Sequence, residues 1–299
     1  MAGLNLKAET KCGFYVDEKR KKIWQKELEI LEEIIRICDK YNIRYLAAGG
    51  TALGTVRHSG FIPWDDDIDI IMKRDDYNNF IQVALKELKE PLFLQYNKTE
   101  KGYFRGHIQV RNSNTTAIIK GDICNNYNKG IFVDIFPLDN VPDDEKERKI
   151  FLKKMTIKKK ILASSEYISG NSKIKNIIKK IVFKNLYWKI FNIDKEIEKF
   201  NVLANKYNDI NTKQCGAITF NPNEFKYENA WLEDIIKMDF EYLKINISRH
   251  YDEILTREYG NYMKLPENKN GSIHGSVFFD TEKSYKEYEK NIKSIVEKL

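Results

Sequence analysis

Only four cysteines occur among the 299 residues, Cys12, Cys38, Cys124 and Cys215, and no two of them form a C-x-x-C pair. Their scatter excludes a disulfide framework and a cysteine-built zinc site, and it fits a reducing cytoplasm. No apolar run approaches the roughly 18 residues that a membrane-crossing helix needs. The opening stretch "MAGLNLKAETKCGFYVDEKRKK" lacks the apolar core of a secretory signal, so a cytoplasmic location is expected. Internal repeats and low-complexity tracts are absent too. What remains is an ordinary globular composition, 42% apolar and 32% charged, long enough for one large domain or two modest ones.

The net charge of +7 is unevenly placed. Residues 146 to 189 hold fourteen Lys/Arg against two acids, Glu147 and Glu166, a local +12 that leaves the rest of the chain near −5. No RNA-reading module accompanies this segment, nor the interleaving of aromatic and basic residues of an RNA platform, so nucleic acid is not expected as a partner. "KERKIFLKKMTIKKKIL" and "KIKNIIKKIVFKNLYWKIF" set Lys clusters, including Lys158, Lys159, Lys160, Lys179 and Lys180, among Ile, Leu and aromatic residues at helical spacing. Two readings stay open: helices with solvated Lys faces, or an amphipathic surface in peripheral contact with an anionic leaflet at the inner face of the cell membrane.

Along the chain, Trp24, Leu28, Leu31, Ile35 and Cys38 alternate spacings of four and three, which predicts a helix from about residue 17 to 41. "IRYLAA" reads as a short buried strand running into Gly49-Gly50-Thr51, and "TALGTVRH" as a short helix. "DIDIIM" alternates acid and apolar as a strand does. "RDDYNNFIQVALKELKE" is a helix with Asp75 or Asp76 as N-cap. "LFLQY", "GHIQVRN", "TTAIIK" and "KGIFVDIFPLD" are strands, the last ended by Pro137. From 143 to about 208 the pattern is helical, broken near "SGNS". "IIKMDFEYLKINI" gives two strands, and "SRHYDEILTREYG" a helix with Ser248 as N-cap and Gly260 after its end. The expected class is α+β: a mixed-sheet head over 1–140, a basic helical region over 141–210 and a C-terminal α+β segment over 211–299 that folds back on the head.

The chemistry concentrates in "GFIPWDDDIDIIM", where Asp65, Asp66, Asp67 and Asp69 crowd like charges into a stretch that otherwise reads as buried. Asp67 and Asp69, two apart on a strand, point to one face and can chelate a hard cation through oxygen. Upstream, "AAGGT" follows a strand and opens a helix, where Gly49 and Gly50 let backbone N–H groups approach a phosphate. Downstream, Asp134 stands alone in the apolar "IFVDIF", where an unpaired carboxylate is costly. An isolated D-x-D is ordinarily a solvated face, and Gly-Gly ordinarily a turn. Asp134 by itself could pair with a buried Arg such as Arg111. Their conjunction in this order predicts one site: Asp67, Asp69 and Asp134 on one or two Mg²⁺ ions, with donor phosphates over Gly49-Gly50. Arg57, His58 and Arg111 are candidates to steady phosphate oxygens. Phe61, Trp64, Tyr103 and Phe104 are either core or an aromatic box for a quaternary ammonium. His107 and His274 have no partner pattern and are not placed in the site.

"GG" followed by "DIDI" and a later "VDI" resembles the nucleotidyltransferase-fold superfamily. The fuller text "YLAAGGTALGTVRHSGFIPWDDDIDIIMKRDDYNNF", then "GIFVDIFPLD" and "YGNYMKLP", resembles the LicD family over residues 45 to about 266. Sixteen residues separate Gly50 from Asp67, longer than in the general superfamily pattern, because "RHSGFIPW" is inserted as in LicD-like proteins. The resemblance implies a nucleotidyltransferase-like fold and metal-binding acids at Asp67, Asp69 and Asp134, with Asp65 as helper. It also implies a donor site at Gly49, Gly50 and Thr51. The implied activity is Mg²⁺-dependent, with Mn²⁺ as substitute. It moves a phospho-alcohol, phosphocholine from CDP-choline foremost, onto a cell-surface glycan, lipid-linked glycan or teichoic-acid-type precursor, releasing CMP. The competing expectation is a template-free nucleotidyltransferase acting on RNA or a small alcohol.

Overall fold

A computed structural model describes residues 3–119, 125–163, 192–223, 225–269 and 276–292. Asp17 accepts a hydrogen bond from the Arg20 backbone N–H (2.7 Å) and so caps α1, Glu18–Tyr41. This helix buries Trp24, Leu28, Leu31, Ile34 and Cys38 along one stripe and ends at Asn42 in the left-handed region. Ahead of it β1 (Glu9–Lys11) and β2 (Phe14–Val16) form a small hairpin.

The stripe of α1 covers a seven-stranded mixed sheet centred on β8, Ile131–Asn140. On one side β8 runs parallel to β4 (Asp69–Lys73), which pairs antiparallel with the short β3 (Leu46–Ala47). On the other side the first half of β8 pairs with β6 (Ile108–Asn112), itself flanked by β5 (Leu92–Gln95). The second half pairs with β9 (Gln214–Gly216), flanked by β10 (Tyr227–Glu228). Residues 211–299 therefore contribute two strands to the same sheet as the head.

Pro137 does not end β8. The Asp134 N–H donates to Ile68 O (3.0 Å), so alternate residues of β8 turn their N–H toward β4 and Pro137 turns the other way. There β6 has already ended opposite Ile135 and β9 begins only at Asp139, so the missing donor faces a gap in the ladder.

Between β3 and β4 lies α2, Gly49–His58; after β4 comes α3, Arg74–Glu87. Strand β4 runs straight into α3, so its N-cap position falls on Lys73. Asp75 and Asp76 sit in the first turn instead, where their charge still suits the helix N-terminus, and Asp76 also accepts from the Arg44 N–H (3.1 Å). Strand β7 (Thr116–Ile119) pairs with β13 (Ser276–Asp280) outside the main sheet. The hairpin of β11 (Ile235–Phe240) and β12 (Leu243–Ser248) packs on α1 and α2.

The next helices are α4, Glu145–Ala163, and α5, Ile193–Ala204. They share a second core in which Phe151, Leu152 and Met155 meet Ile197 and Phe200. The outer face of α4 exposes Lys146, Lys149, Lys153, Lys154 and Lys160. Lys179, Lys180 and the rest of the second basic stretch lie outside the described residues, as does His274. No helix among the described residues is long and apolar enough to cross a membrane. A further helix, α6 (Tyr251–Tyr259), packs on α2. Its N-cap position is His250 rather than Ser248, which belongs to β12 and accepts the His250 N–H from there (2.9 Å). Gly260 ends the helix at φ +65°.

One buried ion pair ties the far end of the sheet together. Arg74, at the β4–α3 junction, donates Nε to Asp139 Oδ1 (2.7 Å), and Asn208 donates to the same oxygen (2.8 Å). Truncating one partner strands the other's charge in the interior. Asp139→Ala should therefore lose about 3–5 kcal/mol in urea unfolding, whereas breaking a solvent-exposed pair such as Lys149–Glu145 should leave the unfolding midpoint nearly unchanged.

Candidate active site

Asp69 opens β4 directly opposite Asp134 in the parallel register with β8, so the two carboxylates are neighbours on adjacent strands. The entry to β4 is pinned from α2. Thr51 Oγ1 accepts the Asp69 N–H (2.8 Å), and the Ala48 N–H donates to Asp69 O (3.0 Å). Asp67 precedes the strand rather than lying within it.

The N-terminus of α2 faces the same acids. Ala48 is its N-cap residue and gives no side-chain hydrogen bond. Gly49 has φ +52°, a backbone conformation that a side chain would strain. A Cβ on Gly50 would collide with the Asp65 carboxylate. Two cavities flank the aspartates. The larger, about 1090 Å³, is lined by Gly49, Gly50, Arg57, Trp64, Asp65 and Tyr259 among others. The smaller, about 320 Å³, includes Glu27, Arg105, His107, Gln109 and Asp134. Asp67 and Asp69 line both.

Asp134 and Asp69 are tuned in opposite directions. Burial works to raise the Asp134 carboxyl, but His107 and Gln109, with the more distant Arg111, overcome it and hold the group below its ordinary value. His107 Nε2 lies 3.0 Å from Asp134 Oδ1, and Gln109 Nε2 donates to the same oxygen at 2.6 Å. Gln109 is fixed in turn. Its Oε1 accepts from Arg111 (2.6 Å) and from the Tyr103 hydroxyl (3.0 Å). Asp69 has no such cradle. Burial first, then Asp67, Asp134, Asp65 and Glu258, push its carboxyl well above the ordinary value. Glu27, on the buried stripe of α1, is raised by burial and then by Asp66, Asp67 and Asp65, and its Oε2 has no hydrogen-bond partner.

Asp65, Asp67, Asp69, Gly49, Gly50 and Arg57 all reach the larger cavity, and Asp134 reaches the smaller. Thr51 is buried against β4 and positions Asp69 instead of facing open space. Arg111 is not at either cavity wall. It is fully buried, over the Phe132 ring at 4.5 Å, and acts on Asp134 through Gln109. His58 is not a cationic phosphate ligand either. Burial, Arg57 and Lys11 lower it to about 4, and its Nε2 accepts from Arg57 Nε (2.9 Å), which helps to aim Arg57. Of the four aromatic candidates only Trp64 lines the larger cavity. Phe61 stacks on Trp24 at 4.6 Å, Tyr103 holds Gln109, and Phe104 belongs to the second core.

His107, Gln109, Glu27, Glu258 and Tyr259 also line the two cavities, and none of them belongs to the motifs that single out the aspartates. Glu27 carried a signal, a charged residue one position before Leu28 on the stripe of α1 that Trp24 and Leu31 share. His107, just before β6, and Gln109 and Arg111 on it fall at alternate positions, a polar face opposite Ile108 and Val110.

Residues 42–172 match the family described as LicD/FKTN/FKRP, nucleotidyltransferase domain. The chain is 29% identical to the lipopolysaccharide cholinephosphotransferase LicD of Haemophilus influenzae over 262 residues, 83% of this chain and 92% of that protein. It is 30% identical to human ribitol 5-phosphate transferase FKRP over 90 residues, 29% of this chain and 18% of that protein. An uncharacterized protein of Rickettsia typhi is 38% identical over 70 residues, 23% of each chain.

The raised Asp69 carboxyl sets a pH dependence. A carboxyl raised by folding binds more protons folded than unfolded, so its contribution to stability falls as pH rises from near 3.8 through the raised value. In chelator, Asp69→Asn should melt above the unsubstituted protein, by a margin that widens as pH rises above about 4. Thermal melts across that range check it. A margin that stays flat or shrinks contradicts the uncompensated-charge account.

Proposed function

Because residues 42–172 belong to the LicD family, we propose that the protein is a phospho-alcohol transferase. It moves the group from a CDP-alcohol, with CDP-choline as first candidate, to a hydroxyl of a glycan or lipid-linked glycan. The observation that carries this reading is the placement of Asp67 and Asp69 between two cavities, one floored by the N-terminus of α2 and the other holding Asp134.

Donor phosphates in the larger cavity would meet the first N–H groups of α2, whose dipole favours negative charge, and the Arg57 guanidinium at its wall. The acceptor hydroxyl attacks the alcohol-bearing phosphorus. A new P–O bond forms, the bridging P–O bond breaks, and CMP leaves with the bridging oxygen. Asp134, held as a carboxylate by His107 and Gln109, is our candidate to orient that hydroxyl and accept its proton. Trp64, with Arg57 and Lys269 each 5.8 Å from its ring, closes one side of the donor cavity.

Among the described residues no three His, Cys, Asp or Glu side chains are drawn together as a metal-ligand set. The donor chemistry nonetheless fits a hard cation. Asp65, Asp67 and Asp69 line one cavity, Asp134 neighbours Asp69, and the Asp69 carboxyl is destabilised by like charge. We assign Asp67, Asp69 and Asp134, helped by Asp65, as the residues that would hold Mg²⁺. Bound there, the ion would neutralise charge on the donor phosphates and on the leaving group. The Lys-rich outer face of α4 would supply the peripheral contact with an anionic leaflet.

The test is a panel of CDP-alcohols (choline, ethanolamine, glycerol, ribitol) with Mg²⁺, assayed for nucleotide products. CMP release from at least one, abolished in Asp67→Asn, Asp69→Asn and Asp134→Asn alike, is expected. Pyrophosphate release from CTP in its place would make the protein a nucleotidyltransferase. Near-full turnover in any one Asn variant would break the three-carboxylate assignment.

A further inference from the structure

The smaller cavity is separate in character from the donor side. One wall carries Glu27, whose Oε2 is buried without a hydrogen-bond partner in a residue only 3% exposed. A buried acceptor of this kind is costly unless something fills it. His107 and Gln109 line the cavity as well, both already turned to Asp134. Phe136 and Phe220, which border the larger cavity as well, supply an aromatic surface here, their rings 4.9 Å apart and the His107 ring 4.5 Å from Phe136. At about 320 Å³ the space stands at the small end of ligand pockets, which run from about 300 to 1,000 Å³, so it holds one ring rather than an oligosaccharide. Asp67 and Asp69 line this cavity and the larger one alike, so groups in the two cavities approach the same acids from different sides. In-line displacement requires such an arrangement of attacking and leaving oxygens.

We propose that this cavity is the acceptor pocket, taking a single hydroxyl-rich sugar residue with Glu27 accepting from one hydroxyl, an aromatic face under the ring and the attacking hydroxyl toward Asp134. The proposal rests on the transferase reading for its role, though not for its binding chemistry. Glu27 is a binding residue here. Ile119, on the same cavity wall, is the position from which a larger side chain would fill the space.

The experiment uses ligand-observed saturation-transfer NMR on the full chain without metal or donor. The probes are glucose, galactose, N-acetylglucosamine, N-acetylgalactosamine and ribitol. At least one probe should bind, and its dissociation constant should rise by at least about tenfold in Glu27→Met, isosteric and apolar, and in Ile119→Trp. Both variants are to be checked for an unchanged far-UV circular dichroism spectrum. With a transferring acceptor in hand, the same substitutions should raise its KM while the donor dissociation constant moves by less than about twofold. Absence of binding by every probe overturns the proposal. So does equal binding in both variants, as does a Glu27→Met change that weakens Mg²⁺ affinity and leaves sugar affinity intact. Should no CDP-alcohol yield CMP, the transferase reading fails, and the sugar titration still decides the pocket.

Discussion

Parallel pairing of β4 with β8 sets Asp69 directly beside Asp134 at the centre of the sheet, and the rest of the site follows from that register. A slip of β4 by one residue would turn Asp69 to the face opposite Asp134. Register is held from both directions. Apolar residues Ile70, Met72, Ile135 and Val133 are fully or almost fully buried, and the Thr51 hydroxyl and Ala48 N–H fix the first residue of β4 to α2. The same bonds bring the α2 N-terminus to the acids. Cationic attraction and anionic crowding therefore meet at one junction, the strand–helix turn at Ala48-Gly49-Gly50.

Elements distant in sequence serve that junction. The loop before Asp65 is clamped by α1, where Arg20 (2.8 Å) and Trp24 (3.0 Å) both donate to the Asp65 carbonyl. It is clamped again by the β11–β12 hairpin. Glu241 accepts the Phe61 N–H through its side chain (3.0 Å) and gives its own N–H to Ser59 O (2.8 Å). Its side chain occupies the space a Cβ on Gly60 would need. The long insertion between Gly50 and Asp67 is thus a braced segment that sets where Trp64 and Asp65 stand. On the far side of the sheet, the chain Arg111–Gln109–Asp134 lets a buried guanidinium act on the site without reaching it.

Much of this was legible in the residues. The α1 stripe, the glycine turn and Asp134 in its apolar strand each follow from local pattern and stand close to where it puts them, whereas Asp67, read as part of a strand with Asp69, precedes it. What local pattern could not give was direction across strands. Arg111 and Thr51 look like ligands in a linear reading, but Arg111 lies on the same face of β6 as Gln109 one step further from Asp134, over Phe132, and the phase of α2 turns Thr51 inward, so they position Gln109 and Asp69 instead. His107 looks structural alone and becomes functional only because β6 lies antiparallel to β8 with Gln109 opposite Asp134. Pro137 reads as a terminator, yet it is tolerated at the one place where β8 changes partners. The caps of α3 and α6 moved because strands run directly into, or end just before, those helices.

The central claim is that the crowded aspartates exist to bind a hard divalent cation. Isothermal titration of Mg²⁺ into the donor-free protein, alongside Asp67→Asn, Asp69→Asn and Asp134→Asn, tests it most directly. The account predicts saturable binding that weakens by at least about tenfold in each variant, because each substitution removes one anionic oxygen ligand. Unchanged affinity in all three variants, or no binding by the unsubstituted protein, would contradict it.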